Sequence, residues 1–82
     1  MEILTNNLFF KSKLSSLKID KDIIIVDADH PDALNIVSKN PFQSYVFVSH
    51  VNVELIKKFK DTGCKHVYAR SYFFGNLGTI FS

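Results

Sequence analysis

The sequence predicts an α/β fold, a single domain over residues 1–82 built as a small parallel sheet of four strands in β-α-β-α-β-α-β-α order. Three observations predict it. Residues 23–26 read Ile-Ile-Ile-Val and residues 45–48 read Tyr-Val-Phe-Val, continuous apolar runs of the kind found in strands covered on both faces, as in parallel sheets. Between the apolar runs lie segments with apolar residues at helical spacing, just long enough for crossovers between adjacent parallel strands. The strand-then-helix unit recurs four times, and the length leaves no room for a fifth.

The elements follow in order. Residues 1–4 give a brief first strand, apolar at Ile3 and Leu4, that stops at the turn-forming Thr5-Asn6-Asn7, where Thr or Asn can cap a helix. Leu8, Phe9, Phe10, Leu14 and Leu17 then fall on one helical face, with Lys11, Lys13, Ser15 and Ser16 opposite. A short link leads to the second strand at 22–27. Pro31 follows at the first position of a second helix, where its missing N–H costs nothing, and Asp32 favours the same N-terminus through the helix dipole. Ala33, Leu34, Ile36 and Val37 form its buried stripe before Asn40-Pro41 ends it. The third strand is 44–48. Val51 or Asn52 opens a third helix with Val53, Leu55, Ile56 and Phe59 on its apolar side, and Gly63 closes it. A weaker fourth strand spans 66–69. The tail, 72–81, is apolar but carries Gly75 and Gly78, so a short or irregular last helix is expected.

Right-handed crossovers with sequential strand order place the first three helices on one face of the sheet. The last helix alone then covers the other face. That arrangement leaves apolar surface bare, and a large bare apolar patch marks an interaction surface. A homodimer or another protein partner is therefore expected, with Tyr72, Phe73, Phe74 and Phe81 as contact residues.

Composition narrows the function classes. The chain is 46% hydrophobic and 22% charged, which excludes disorder. Ten basic residues against eight acidic ones give +2, a balance that argues against a nucleic-acid surface despite Lys57, Lys58 and Lys60. The single cysteine, Cys64, allows no internal disulfide and fits a reducing cytoplasm. No signal pattern and no membrane-length apolar run is present, so a cytoplasmic protein with no membrane partner is expected.

Asp27 is the outstanding site candidate, because open α/β sheets keep their ligand sites at the C-terminal ends of the strands. Its plainer role, shared with Asp29, is to cap the second helix. Asp27, Asp29, His30 and His50 also make a mixed set that suits zinc or manganese. A hydrolase triad is disfavoured, because neither Ser49 nor Ser71 sits in a Gly-x-Ser-x-Gly turn.

Taken together, Asp22-Ile-Ile-Ile-Val-Asp27, Tyr45-Val-Phe-Val-Ser49, Asp61-Thr-Gly-Cys64 and His66-Val-Tyr-Ala-Arg70-Ser71-Tyr72 resemble, in order and spacing, the receiver domains of bacterial two-component response regulators. The resemblance covers roughly residues 22–74 and implies a small flavodoxin-like fold. It makes Asp27 the phosphoacceptor position, Ser49 the hydroxyl beside the phosphoryl group, and Arg70 the stand-in for a lysine, with the charge kept and the geometry changed. It also implies a magnesium ion held by an acidic pair after the first strand, where this sequence has Thr5-Asn6-Asn7. Asn6 and Asn7 offer oxygen without charge, so together with Asp27 they are weak metal candidates. A Ser stands at position 71, where the family has Pro, and only residues 18–21 separate the first helix from the Asp27 strand, so one β-α unit of a full receiver is missing. The resemblance thus implies a truncated pseudo-receiver, without enzymatic activity or cofactor. Its expected function is phosphorylation-independent protein-protein interaction in cytoplasmic signalling or transcriptional regulation. The alternative it leaves open is a genuine phosphoacceptor at Asp27 with weakly held magnesium.

Overall fold

A computed structural model describes residues 1–19, 22–49 and 52–81. The elements are β1 (Glu2–Leu4), α1 (Leu8–Ser15), β2 (Ile24–Asp27), α2 (Ala33–Lys39), β3 (Ser44–Val48), α3 (Val53–Lys60), β4 (His66–Ala69), α4 (Arg70–Gly75) and α5 (Leu77–Ile80). The four strands pair in parallel in the order β1-β2-β3-β4. This is the expected α/β architecture, a small flavodoxin-like fold with its strands in sequential order. Val26 stands beside Val46 and Ile25 beside Tyr45, so same-facing side chains align across the central pair.

Strand alternation divides the core into two layers. On one face Val26, Val46 and Val48 pack with Ala33 and Val37 of α2, Phe59 of α3, and Cys64. On the other, Ile23, Ile25 and Phe47 pack with Leu14 of α1 and Phe73 of α4, with Phe10, Leu17, Phe74 and Phe81 around them. The two sides of the sheet are therefore both covered. The expected grouping of the first three helices is wrong at α1, which lies with α4 and α5 on the face opposite α2 and α3. Since the strands run in one direction across the sheet, the β1-α1-β2 crossover has the opposite hand to the two that follow. The rule that about 98% of such units are right-handed assigns the usual hand to the following pair and makes α1 the exception.

The helices depart from the sequence reading in the stripe of α1 and the start of α2, while α3 opens as expected. The stripe of α1 is Phe10, Leu14 and Leu17, while Leu8 and Phe9 point outward, 80% and 72% exposed. Helix α2 starts at Ala33 rather than Pro31, because residues after Asp27 first form a turn in which the His30 N–H donates to the Asp27 carbonyl. Its N-cap residue, Asp32, makes no side-chain cap bond. Of the two residues expected to open α3, Asn52 is the cap, its Oδ1 accepting the N–H groups of Glu54 and Leu55. Val51 lies outside the described residues. Gly63 takes φ of 95°, the left-handed conformation that lets the chain leave α3 for β4.

The tail is core rather than bare surface. Phe73 is fully buried, its ring stacked on Phe47 at 5.3 Å, with Phe74 and Phe81 at 5.5 and 5.9 Å. Of the four expected contact residues, Tyr72 is the exposed one, and Phe74 and Phe81 are half-buried. The reason is the placement of α1: with that helix beside α4 and α5, the tail aromatics have a groove to fill. The argument for self-association through the tail loses its premise.

Candidate functional site

Parallel strands all end on the same edge of the sheet, and that edge gathers residues far apart in the chain. After β1 come Thr5, Asn6 and Asn7; Asp27 ends β2; Ser49 follows β3; Arg70 follows β4 as the first residue of α4. Together they border an open cleft of about 470 Å3, lined by Asn6, Asn7, Phe10, Asp27, Asp29, His30, Ser49 and Arg70. A volume of this size falls in the usual range for a small-ligand pocket. The sequence-predicted residues Asn6, Asn7, Asp27, Ser49 and Arg70 thus share one cleft. Tyr72, Phe73, Phe74 and Phe81 lie outside it.

Asp27 is buried to 6% exposure at the floor. Its Oδ2 accepts the Thr5 hydroxyl at 2.7 Å and its Oδ1 accepts the Asp29 N–H at 3.0 Å. The Thr5 oxygen in turn accepts the Asn7 N–H at 3.1 Å, and Asn7 Oδ1 caps α1 by accepting the Phe10 N–H at 3.1 Å. One chain of hydrogen bonds therefore ties the end of β1, the end of β2 and the start of α1 together. This is how the fold satisfies a buried carboxyl group, which is costly to leave without partners. It also bears on metal binding. Each Asp27 oxygen already holds a donor, and the one Asn7 atom able to meet a cation is committed to the helix cap. Each of these oxygens keeps a second lone pair, but beside Asp27 only the exposed Asp29 adds negative charge, and Asn6 and Asn7 add none, a poor match to a hard cation that requires several oxygens in near-octahedral array. The residues present do not fit the ion.

The rest of the cleft is loosely engaged. The Arg70 guanidinium lies over the Phe10 ring, its carbon 5.7 Å from the centroid, a cation-π contact. Ser49 is half-buried, and among the described residues its hydroxyl has no hydrogen-bond partner. His30 Nδ1 accepts the Asp32 N–H at 3.1 Å, which places the proton of the neutral ring on Nε2. Ser49 and His30 both border the cleft without bonding each other. Among the described residues no group of three His, Cys, Asp or Glu side chains converges on a metal position. His50, part of the mixed metal set considered above, lies outside them.

Three groups away from the cleft have shifted titration. Burial pushes the Cys64 thiol above its ordinary value, partly offset by a hydrogen bond with the His66 backbone. Burial, then the nearby Lys65 charge, lowers His66 below the ordinary 6.5. Its ring stacks on Tyr45 at 4.1 Å and meets the Tyr68 hydroxyl at 3.2 Å. Tyr68 is raised, first by burial and then by neighbouring Tyr45, Tyr72 and Cys64. Lys57, Lys58 and Lys60 are exposed on α3.

Two residues of the site were missed from sequence. Local spacing marks Thr5 as a turn former or helix cap, although a hydroxyl just past one strand can reach a carboxyl ending its parallel neighbour. Phe10 belongs to the α1 stripe and is also a wall of the cleft. Comparisons with protein-family models, with curated proteins and with solved structures find no match.

Proposed function

We propose that this chain is a receiver-like module lacking one β-α unit, that it works in cytoplasmic signalling or transcriptional regulation by binding another protein, and that it does so without phosphoryl chemistry. The observation that carries the reading is the state of Asp27. It sits where a phosphoacceptor would sit, with Ser49 and Arg70 on the same cleft, yet both its oxygens are bonded within the fold and no acidic pair accompanies it. Phosphoryl transfer to a carboxylate relies on a cation to neutralise developing charge. A hydrogen-bonded carboxyl without that cation is a structural post.

Topology supports the likeness to a receiver. The flavodoxin-like order is 2-1-3-4-5. In it the first right-handed crossover runs across the sheet in the opposite direction from the later ones, so its helix lies on the opposite face. Removing the second β-α unit leaves a sequential four-strand sheet with the first helix still on its own face. The position of α1 fits that construction and accounts for its unusual hand.

The test is amide chemical shifts with magnesium and beryllofluoride, a phosphoryl mimic. Shifts that stay unchanged around Asp27, Ser49 and Arg70 are the expected result. A saturable response centred on those residues would establish the alternative, a working phosphoacceptor.

A further inference from the structure

We infer that the exposed Leu8 and Phe9 at the start of α1, flanked by Lys11, Lys13 and Arg70, dock an acidic amphipathic segment of a partner protein. The inference rests on the non-catalytic interaction reading and gives it a site and a partner chemistry. Leu8 and Phe9 are adjacent in the chain, 80% and 72% exposed, and sit in the first turn of a helix whose buried stripe does not include them. Large apolar side chains held side by side in water mark recognition surfaces more often than single ones do.

The backbone that carries them is fastened to the sheet. The Asn7 cap, the Thr5 hydroxyl and Asp27 fasten the start of α1 to the sheet. The Phe9 ring abuts Phe10 at 6.3 Å, and Phe10 packs on Phe47 at 5.6 Å and Phe74 at 5.1 Å. An anchor fixed before binding loses little entropy on docking. Asp27 is thus a positioning residue for this surface.

Charge selects the partner. Helix α1 carries Lys11 and Lys13 and no acidic residue. Lys13 Nζ lies 5.2 Å from the Phe74 centroid, and Arg70 covers Phe10, so both cations are held beside the aromatic group. Asp29 lines the cleft with Arg70 and is exposed, whereas the exposed Asp32 and Glu54 stand at the starts of α2 and α3, on the face of the sheet opposite α1. A surface of two apolar anchors among three cations complements carboxylates interspersed with apolar side chains, the pattern of an acidic amphipathic peptide. An anionic membrane shares the charge, but interfacial binding scales with buried apolar area, and two side chains on an eight-residue helix supply little.

The experiment is selection of a random peptide library displayed on phage against the full chain, followed by fluorescence anisotropy with the enriched peptides. Enriched sequences are expected to combine Asp or Glu with Leu, Phe or Trp. Phe9→Ala is expected to weaken them about thirtyfold, the scale of one interface hot spot, with the melting temperature unchanged. Lys11→Glu should weaken them as well, and added salt should do the same in the wild-type chain. No enrichment, enrichment of basic or neutral peptides, binding indifferent to Phe9→Ala, or Phe9-dependent binding to phosphatidylserine vesicles in place of peptides would each overturn the inference. A beryllofluoride response would instead overturn the non-catalytic reading, so the two failures are separable.

Discussion

At the scale of single residues, Asp27 has the clearest role. It links two strand ends and a helix cap through Thr5 and the Asp29 N–H. Asp27→Ala leaves the Thr5 hydroxyl without its acceptor in a buried place and the Asp29 N–H without one in a partly buried place, and is expected to cost about 1–3 kcal/mol, visible as a lower urea midpoint. This is more than a surface carboxylate would cost, the outcome expected had Asp27 only faced a ligand. Asp27→Asn keeps an acceptor for the Asp29 N–H and can donate its amide to the Thr5 oxygen, so that only the Thr5 hydroxyl proton loses its acceptor, and it should lose less than Asp27→Ala. His66 gives a pH signature. Its folded pKa lies below the unfolded value of 6.5, so below that value the unfolded chain binds more protons than the folded one. Stability is therefore full above about pH 7 and falls as pH drops through 6.5, levelling off below the folded pKa. Comparing urea midpoints at pH 7.5 and 5.5 should show this loss in the wild type and a smaller one in His66→Phe.

At the scale of elements, the caps decide where helices begin. Asn52 accepts two N–H groups at the start of α3, and Asn52→Ala should destabilise the chain by about 1 kcal/mol, readable in thermal unfolding. Asn7→Ala removes the matching cap of α1 and, with it, one end of the Asp27 chain of bonds. The loss should be similar in size, and hydrogen exchange should quicken first at Phe10 and Lys11. Helix α2 lacks a side-chain cap, so Asp32→Ala should change stability little. These starts were only partly legible in sequence. Asn7 and Asn52 carry the common cap chemistry, whereas Pro31 marks a turn here because the chain after Asp27 first folds back onto its own carboxyl group.

At the scale of the whole molecule, the tail and α1 complete one of the two core layers. Phe73→Ala should cost about 3–5 kcal/mol, comparable to the total stability of a domain this small. A charged residue at Phe73 should therefore unfold the chain, where a surface contact would only change the oligomeric state. Circular dichroism and sedimentation of Phe73→Asp together separate the two outcomes. Tyr72→Asp, at an exposed position, should leave the fold intact.

Element types, parallel pairing and the residues at the strand ends are legible in the sequence, because apolar period and turn chemistry are local properties of the chain. The parallel pairing places Asn6, Asn7, Asp27, Ser49 and Arg70 on one edge, because every parallel strand must end there. Which face α1 covers, where the tail aromatics go, and the bond from Asp27 to Thr5, 22 residues away, are settled by packing. Those outcomes depend on the hand of one crossover and on the volume it leaves to be filled, and neither is written in the spacing of any single segment.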